Sequence, residues 1–329
     1  MAFIQVAVPV PLRQLFTYTH DNALSAGVRV VVPFGPRKLV GVVVETLHKP
    51  ESDIENSNKL KAIESVLDDS PIIDEVLLKM AQWLWQYYHH APGEVLHAML
   101  PVLLRKGESA APTPQDMLML TEEGKQTTAD TLSRAPKQQA CFTAMAGGAL
   151  LASQARKQYG APAVKALVEK SLASIEEVAP EFKSGSWLAT LSVSEKPVPD
   201  TEQSVAIAAL NRQQGNFAVS LLEGVTGSGK TEVYIEAVNH CIQLRKKAIV
   251  LVPEIALTPQ TIDRFASRFP GQVAVMHSAL TSGERFDQWT KIRNGDYNVV
   301  IGSRSAIFAP VDSLGLVVID EEHEWTYKN

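Results

Sequence analysis

Leu221-Leu222-Glu223-Gly224-Val225-Thr226-Gly227-Ser228-Gly229-Lys230-Thr231 is the stretch on which the reading of this chain turns. Its spacing is that of a phosphate-binding loop, G-x-x-x-x-G-K-[ST]. The apolar lead-in Phe217 to Leu222 predicts a buried strand, and Glu232 to Leu244 predicts the helix that follows such a loop. A triphosphate needs many donors that approach without side-chain bulk. Gly224, Gly227 and Gly229 let the backbone, with that of Thr226 and Ser228, aim its N–H groups inward, and the helix adds its positive end. Lys230 is expected to reach the β- and γ-phosphates and the Thr231 hydroxyl to join a Mg²⁺ shell. A glycine-rich turn of purely structural use is the alternative.

A second stretch speaks against that alternative. Leu314-Gly315-Leu316-Val317-Val318-Ile319 is an apolar run that predicts a strand, and it ends in Asp320-Glu321-Glu322-His323. Open parallel sheets place ligand chemistry at such strand ends. Asp320 suits a Mg²⁺ site, and Glu321 suits orienting or deprotonating an attacking water. Between the two stretches lie further strand candidates at 248–253, 273–276 and 297–302, separated by helical lengths. Together with the 217–222 lead-in and 316–319 they predict a doubly wound α/β lobe.

The rest of the chain is organised differently. Its 329 residues exceed what one core usually supports, so two or three domains are expected. The two cysteines, Cys141 and Cys241, form neither a disulfide framework nor a zinc cluster. No apolar run is long enough to span a bilayer, and no signal peptide is evident, so the expected compartment is the cytoplasm. A net charge of −5 means that nucleic acid would have to be held by local patches. The N-terminal part reads as short strands, with a hairpin of 28–35 and 39–44 and a closing strand at 63–67. A helix follows over 74–90. Its aromatics Trp83, Trp85, Tyr87 and Tyr88 are read as core or domain-interface packing in preference to a stacking or metal site with His89 and His90. Residues 105–115 read as a boundary and 117–175 as short amphipathic helices. Within these, 151–159 and 161–170 form a helix-turn-helix pair, and 172–178 a strand or wing. Residues 176–199 read as a linker.

Several further motifs, taken with these, resemble the ordered motifs of superfamily 2 helicases. They are Val252-Pro253-Glu254-Ile255-Ala256-Leu257-Thr258-Pro259-Gln260, His277-Ser278 and Ile301-Gly302-Ser303-Arg304-Ser305-Ala306-Ile307-Phe308. Their wording is similar to that of the primosomal protein N′ (PriA) family of replication-restart helicases, and the similarity extends over essentially the whole chain. The resemblance implies a 3′-DNA-end-binding domain over 1–107, a winged-helix-like domain over 108–183, a linker over 184–199, and a RecA-like ATP-binding lobe over 200–329. It implies ATP-driven 3′-to-5′ unwinding at stalled or repaired forks and primosome assembly, with single-stranded DNA-binding protein and primosome proteins as partners. By matching position, Phe16, Gly35 and Lys61 resemble the pocket for a leading-strand 3′ end. Thr17 stands where the family commonly has an acid, which puts recognition of the 3′-hydroxyl in question. Thr258, Arg304 and Ser305, with Glu254, resemble contacts to the strand backbone, and Gln203 resembles an adenine-sensing glutamine. Core packing for Phe16, sheet-edge turns for the backbone contacts and a surface position for Gln203 are the plainer alternatives.

The chain stops at Trp325-Thr326-Tyr327-Lys328-Asn329, before any second lobe, transition-state arginine or zinc-binding cysteine cluster of the family. The expectation is therefore a fragment that binds fork DNA and ATP without unwinding alone. Zinc is expected only in the part beyond it. The alternatives are a non-catalytic fork-binding module and another superfamily 2 translocase.

Overall fold

The computed structural model describes residues 1–47, 60–110, 115–178, 197–225, 227–278 and 280–327. The chain divides into two compact units, Met1–Ala110 with Phe182–Asn329, and Ala111–Glu181.

The first unit opens with five strands: β1 (Ala2–Ala7), β2 (Phe16–His20), β3 (Arg29–Phe34), β4 (Arg37–Leu47) and β5 (Ser65–Val66). They form one sheet in the order β2-β1-β4-β3-β5, with antiparallel neighbours throughout. Alternation along the strands sends Ile4, Val6, Val30, Val32 and Val43 into one apolar cluster with Tyr18 and Ile63. The other face carries Ala7, Val42 and Val44, which pack on the helices that follow. These are α1 (Glu75–Tyr87), α2 (Pro92–Met99) and α3 (Val102–Arg105). Asp74 caps α1 by accepting from Leu77 N at 2.8 Å.

Of the four aromatics expected to pack in the core or at an interface, Trp85 meets the core and the other three are exposed. Helical spacing turns Leu77, Leu78, Ala81, Leu84 and Trp85 inward, and leaves Trp83, Tyr87 and Tyr88 52, 65 and 56 % exposed. These three rings pack on one another, Trp83 stacking on Tyr87 at 5.0 Å.

The second unit contains β6 (Gln115–Leu120), α4 (Glu122–Gln126), α5 (Pro136–Ala146), β7 (Leu150–Leu151), α6 (Ala152–Tyr159), α7 (Ala161–Glu169) and β8 (Ala173–Val178). Its sheet has the order β7-β6-β8, antiparallel. Met117-Leu118-Met119-Leu120 is thus a strand, not the start of the expected helical pieces: pairing on both sides and burial of Leu118 override the helical preference of Leu and Met. The expected helix pair and following strand are present as α6, α7 and β8, and α6 turns into α7 at Gly160 (φ +93°). Most of the expected linker lies outside the described residues.

The first unit resumes with α8 (Thr201–Gln213), α9 (Lys230–Gln243), β9 (Lys247–Leu251), α10 (Pro259–Arg268), β10 (Val273–Met276), α11 (Ser282–Asn294), β11 (Val299–Gly302) and β12 (Leu314–Ile319). The four strands form a parallel sheet in the order β10-β11-β9-β12. The expected strand at 217–222 is not formed. Phe217 is 98 % and Leu221 78 % exposed, and β12, at the sheet's edge, leaves Ile319 51 % exposed. A strand is stable only with a hydrogen-bonded neighbour, and this segment has none among the described residues.

Two packing features position the site. Gly302 admits a close return of the chain, since a Cβ there would lie 2.3 Å from Met276 O and 2.7 Å from Ala306 Cβ. On the opposite flank Phe286 and Trp289 of α11 enter the same apolar cluster as Leu77, Leu96 and Leu104, so the N-terminal sheet and helices share a core with the lobe.

Candidate functional site

Parallel register gathers the motifs. Leu251 is level with Gly302 and Ile319, and Gly302 is level with Met276. The residues that follow these positions, Val252, Ser303, Asp320 and His277, therefore share one lip of the sheet. Strand ends at such a lip are where ligands are bound in open α/β sheets.

The glycine-rich loop approaches this lip through the first turns of α9. Gly227 and Gly229 have φ of +82° and +77°, and a Cβ at Gly229 would lie 2.4 Å from Gln203 Nε2. A Cβ at Gly224 would lie 2.7 Å from Ser228 Oγ, so the loop leaves no room for a side chain at Gly224 or Gly229, while Gly227 is open and is required there by its backbone angle alone. Thr226 lies outside the described residues. Lys230 Nζ donates to the loop carbonyls of Gly224 and, at 3.3 Å, Val225. Engaging a phosphate would exchange those carbonyls for phosphate oxygens. Gln203 is occupied at both ends: its Oε1 accepts from Asp200 N at 3.1 Å in a capping box, and its Nε2 donates to Ser228 O at 3.1 Å. It supports the loop, and contact with a base would require release of these bonds.

Thr231 and Asp320 meet at a residue that the sequence did not single out. The Tyr234 hydroxyl lies 3.1 Å from Thr231 Oγ1 and 3.1 Å from Asp320 Oδ2. Its position three residues after Thr231 puts both on one helix face, and that spacing was the available signal. Burial pushes the Tyr234 phenol far above the ordinary tyrosine range, so it is a neutral donor. Burial also raises the Asp320 carboxyl, and the charge of Glu321 adds to this. Hydrogen bonds from Tyr234 and from Glu321 N, with the charge of Lys230, act in the other direction. The hydroxyl and carboxylate are hard oxygen donors of the kind that hold Mg²⁺.

Glu321 sits in the left-handed region, at φ +48°. A non-glycine residue there is strained, and such strain concentrates at functional sites. Its carboxylate is 3.5 Å from His323 Nε2. Tyr327, in the aromatic run after the acidic box, donates to Asp320 O at 3.0 Å, and Arg304 Nη1 donates to Thr326 O at 3.0 Å. Ser305 is exposed beside Arg304, and Thr258 caps α10 by accepting from Thr261 N.

At the N-terminal sheet, Phe16 packs edge-on against Phe34, with ring centroids 5.1 Å apart. Gly35 follows in the β3–β4 turn at φ +58°, with nothing within 4 Å of the position its Cβ would take. Phe16 thus contacts the residue that precedes Gly35. Thr17 pairs with Gln5 in the sheet, and Lys61 is exposed on a segment beside β2, its carbonyl accepting from Thr19 N at 3.0 Å.

A phosphate loop whose helix is bonded to an acidic strand end, on a parallel sheet, has the arrangement of a nucleotide-binding lobe. Residues 200–329 match the model of the DEAD/DEAH box helicases, and residues 5–101 match that of the 3′DNA-binding domain (3′BD) of PriA. The chain is 36 % identical to the replication restart protein PriA of Haemophilus influenzae, over its whole length and 45 % of that protein. It is 33 % identical to that of Bacillus subtilis, over the whole chain and 50 % of the relative, and 30 % identical to that of Treponema pallidum, over 99 % of the chain and 39 % of the relative. The chain belongs to the PriA replication restart family, with that family's 3′ DNA-binding domain and helicase region. It spans about half the length of the relatives it matches. No helix among the described residues is long and apolar enough to cross a membrane.

Proposed function

We propose that this chain is the fork-recognising and ATP-binding portion of an ATP-dependent 3′-to-5′ DNA helicase. The whole protein would recognise stalled or repaired replication forks and start primosome assembly there. The observation that carries this reading is the bridge between Tyr234 and Asp320, 86 positions apart, which joins the phosphate-loop helix to the acidic strand end.

In this reading the backbone from Gly224 through Thr226, Gly227, Ser228 and Gly229 cradles a triphosphate, and Lys230 leaves its loop carbonyls for the β- and γ-phosphates. Thr231 and Asp320 hold Mg²⁺, which supplies charge neutralisation along the phosphates. Glu321 orients the attacking water, its strained backbone fixing where the carboxylate points. Gln203 steadies the loop and senses adenine only by giving up its present bonds. Thr258, Arg304 and Ser305 lie on segments that follow strand ends of the lobe and grip the strand backbone without reading sequence. The 3′ end of a nascent leading strand is held at the N-terminal sheet. Phe16 offers a ring face, Gly35 a close approach and Lys61 a cation, while Thr17 takes the place of an acid near the 3′-hydroxyl. The domain limits are 1–107, 108–183 and 200–329. The middle unit, with a helix pair followed by an antiparallel strand, is read as a winged-helix-like module. Single-stranded DNA-binding protein and primosome proteins are the expected partners.

The test is Lys230→Ala in the full-length protein. Fork-stimulated ATP hydrolysis should fall to background while fork binding stays within twofold. Retained hydrolysis would remove the phosphate loop from the mechanism.

A further inference from the structure

We propose that Tyr234 is a positioning residue of the nucleotide site, its hydroxyl directing Thr231 and Asp320 so that both offer lone pairs to one divalent cation. The inference rests on the nucleotide-binding reading of the loop. It concerns a residue that belongs to neither the loop motif nor the acidic box.

The chemistry follows from counting protons. An ionised carboxylate only accepts, and a phenol has one proton. At 3.1 Å from both partners, the Tyr234 hydroxyl therefore donates to Asp320 Oδ2, and its oxygen accepts from the Thr231 hydroxyl. The Thr231 proton is then directed at Tyr234, which leaves the Oγ1 lone pairs to face elsewhere. A hydroxyl that binds a metal must do this, because its proton cannot point at the cation. The second carboxylate oxygen, Asp320 Oδ1, accepts from Glu321 N at 3.1 Å, so both oxygens of Asp320 have a fixed direction.

The phenol is itself held rigidly. Tyr234 is 6 % exposed, and its ring stacks on Phe265 of α10 with centroids 6.0 Å apart and planes at 16°. Phe265 is fully buried. The hydroxyl is thus fixed from the lobe's core, and nothing in the chain Thr231–Tyr234–Asp320 depends on an exposed side chain's rotamer.

Tyr234→Phe removes the hydroxyl and keeps the ring. The measurement is equilibrium binding of a fluorescent ADP analogue to the purified chain, first in chelator and then across a Mg²⁺ titration. Affinity in chelator should stay within twofold of wild type, and the Mg²⁺ concentration for half-maximal enhancement should rise about tenfold, the scale of one hydrogen bond to a charged group. Phe265→Leu is the packing control. It should lower thermal stability and leave the Mg²⁺ requirement within twofold. An unchanged Mg²⁺ requirement in Tyr234→Phe, an equal loss of affinity with and without Mg²⁺, or the same Mg²⁺ shift in Phe265→Leu would each overturn the proposal while leaving the nucleotide site standing. Wild-type chain that binds the analogue with no Mg²⁺ dependence would overturn both.

Discussion

Arg293, near the end of α11 in the helicase lobe, donates from Nη2 to the carbonyl of Pro71 in the N-terminal domain at 2.9 Å. One helix turn away Trp289, 2 % exposed, is buried in the cluster that contains Leu77, Leu96 and Leu104. The helix that carries these residues starts just beyond His277-Ser278, and Arg285 on it donates to the carbonyls of both. A lobe segment at the sheet's lip is thus fastened to the domain that the family model identifies as 3′-DNA-binding.

Trp289→Ala should therefore act on both parts at once. Loss of a buried Trp costs about 3–5 kcal/mol, and the cavity opens between the N-terminal helices and the lobe. Thermal unfolding should change from one transition for this unit to two. A single transition, lowered by only a degree or two, would show that the shared cluster does not couple the parts.

The N-terminal sheet has its own fastening. Arg29 is fully buried, and its Nε and backbone N donate to Asp68 Oδ2 at 3.0 and 2.9 Å, with Nη2 to Oδ1 at 2.6 Å. Its Nη1 donates to the carbonyls of Leu104 and Glu108 at 2.7 and 2.8 Å. Asp68→Ala leaves a guanidinium without its counter-charge and should cost about 3–5 kcal/mol, whereas the apolar pair Arg29→Met with Asp68→Leu should recover most of it. Urea unfolding of the three proteins measures this. A loss below about 1 kcal/mol for Asp68→Ala would contradict the assignment of a buried ion pair.

His97 gives the fold a pH dependence. Its Nε2 is 3.0 Å from Val40 O, and burial, with the nearby Arg105 charge, pushes the imidazole below its ordinary value. The hydrogen bond to Val40 O works in the other direction but does not prevail. As pH falls through about 6.5 the unfolded chain takes up a proton that the folded chain refuses, so the contribution is present above that pH and is lost as pH falls toward the folded value. His97→Gln keeps an N–H donor and removes the titration. The drop in Tm between pH 7.5 and 5.5 should be smaller in the variant, and equal drops would assign the pH dependence to other groups.

Legibility in the sequence followed the range of the interactions. The strands β9, β10, β11 and β12 were readable because each is a mostly apolar run that contains β-branched residues, and α9 because a helix-competent run follows a loop of phosphate-binding spacing. The segment 217–222 is also mostly apolar and forms no strand, because strand formation depends on a neighbour that composition does not reveal. Strand β6 was hidden by its Met and Leu residues, which favour helix locally and yield to pairing with β7 and β8. On α1 the inward and outward faces were separable by spacing, yet the outward group happens to hold three of the four aromatics. At the candidate site, the placement of Lys230 at the loop and of Asp320 and Glu321 at a strand end followed from motif and position. The bridge through Tyr234 and the left-handed backbone of Glu321 did not, since one depends on packing across the sheet edge and the other on a dihedral angle that no residue type there announces.

The central claim, that a domain for 3′ ends of DNA and an ATP-binding lobe serve one fork-restart function, is tested most directly by equilibrium binding of this chain to a model fork. One fork carries a free leading-strand 3′-hydroxyl and the other a 3′-phosphate. Tighter binding to the free end, with the difference abolished by Phe16→Ala, is the predicted result and would show that the sheet around Phe16, Gly35 and Lys61 reads the end despite Thr17. Equal binding to both forks would contradict it.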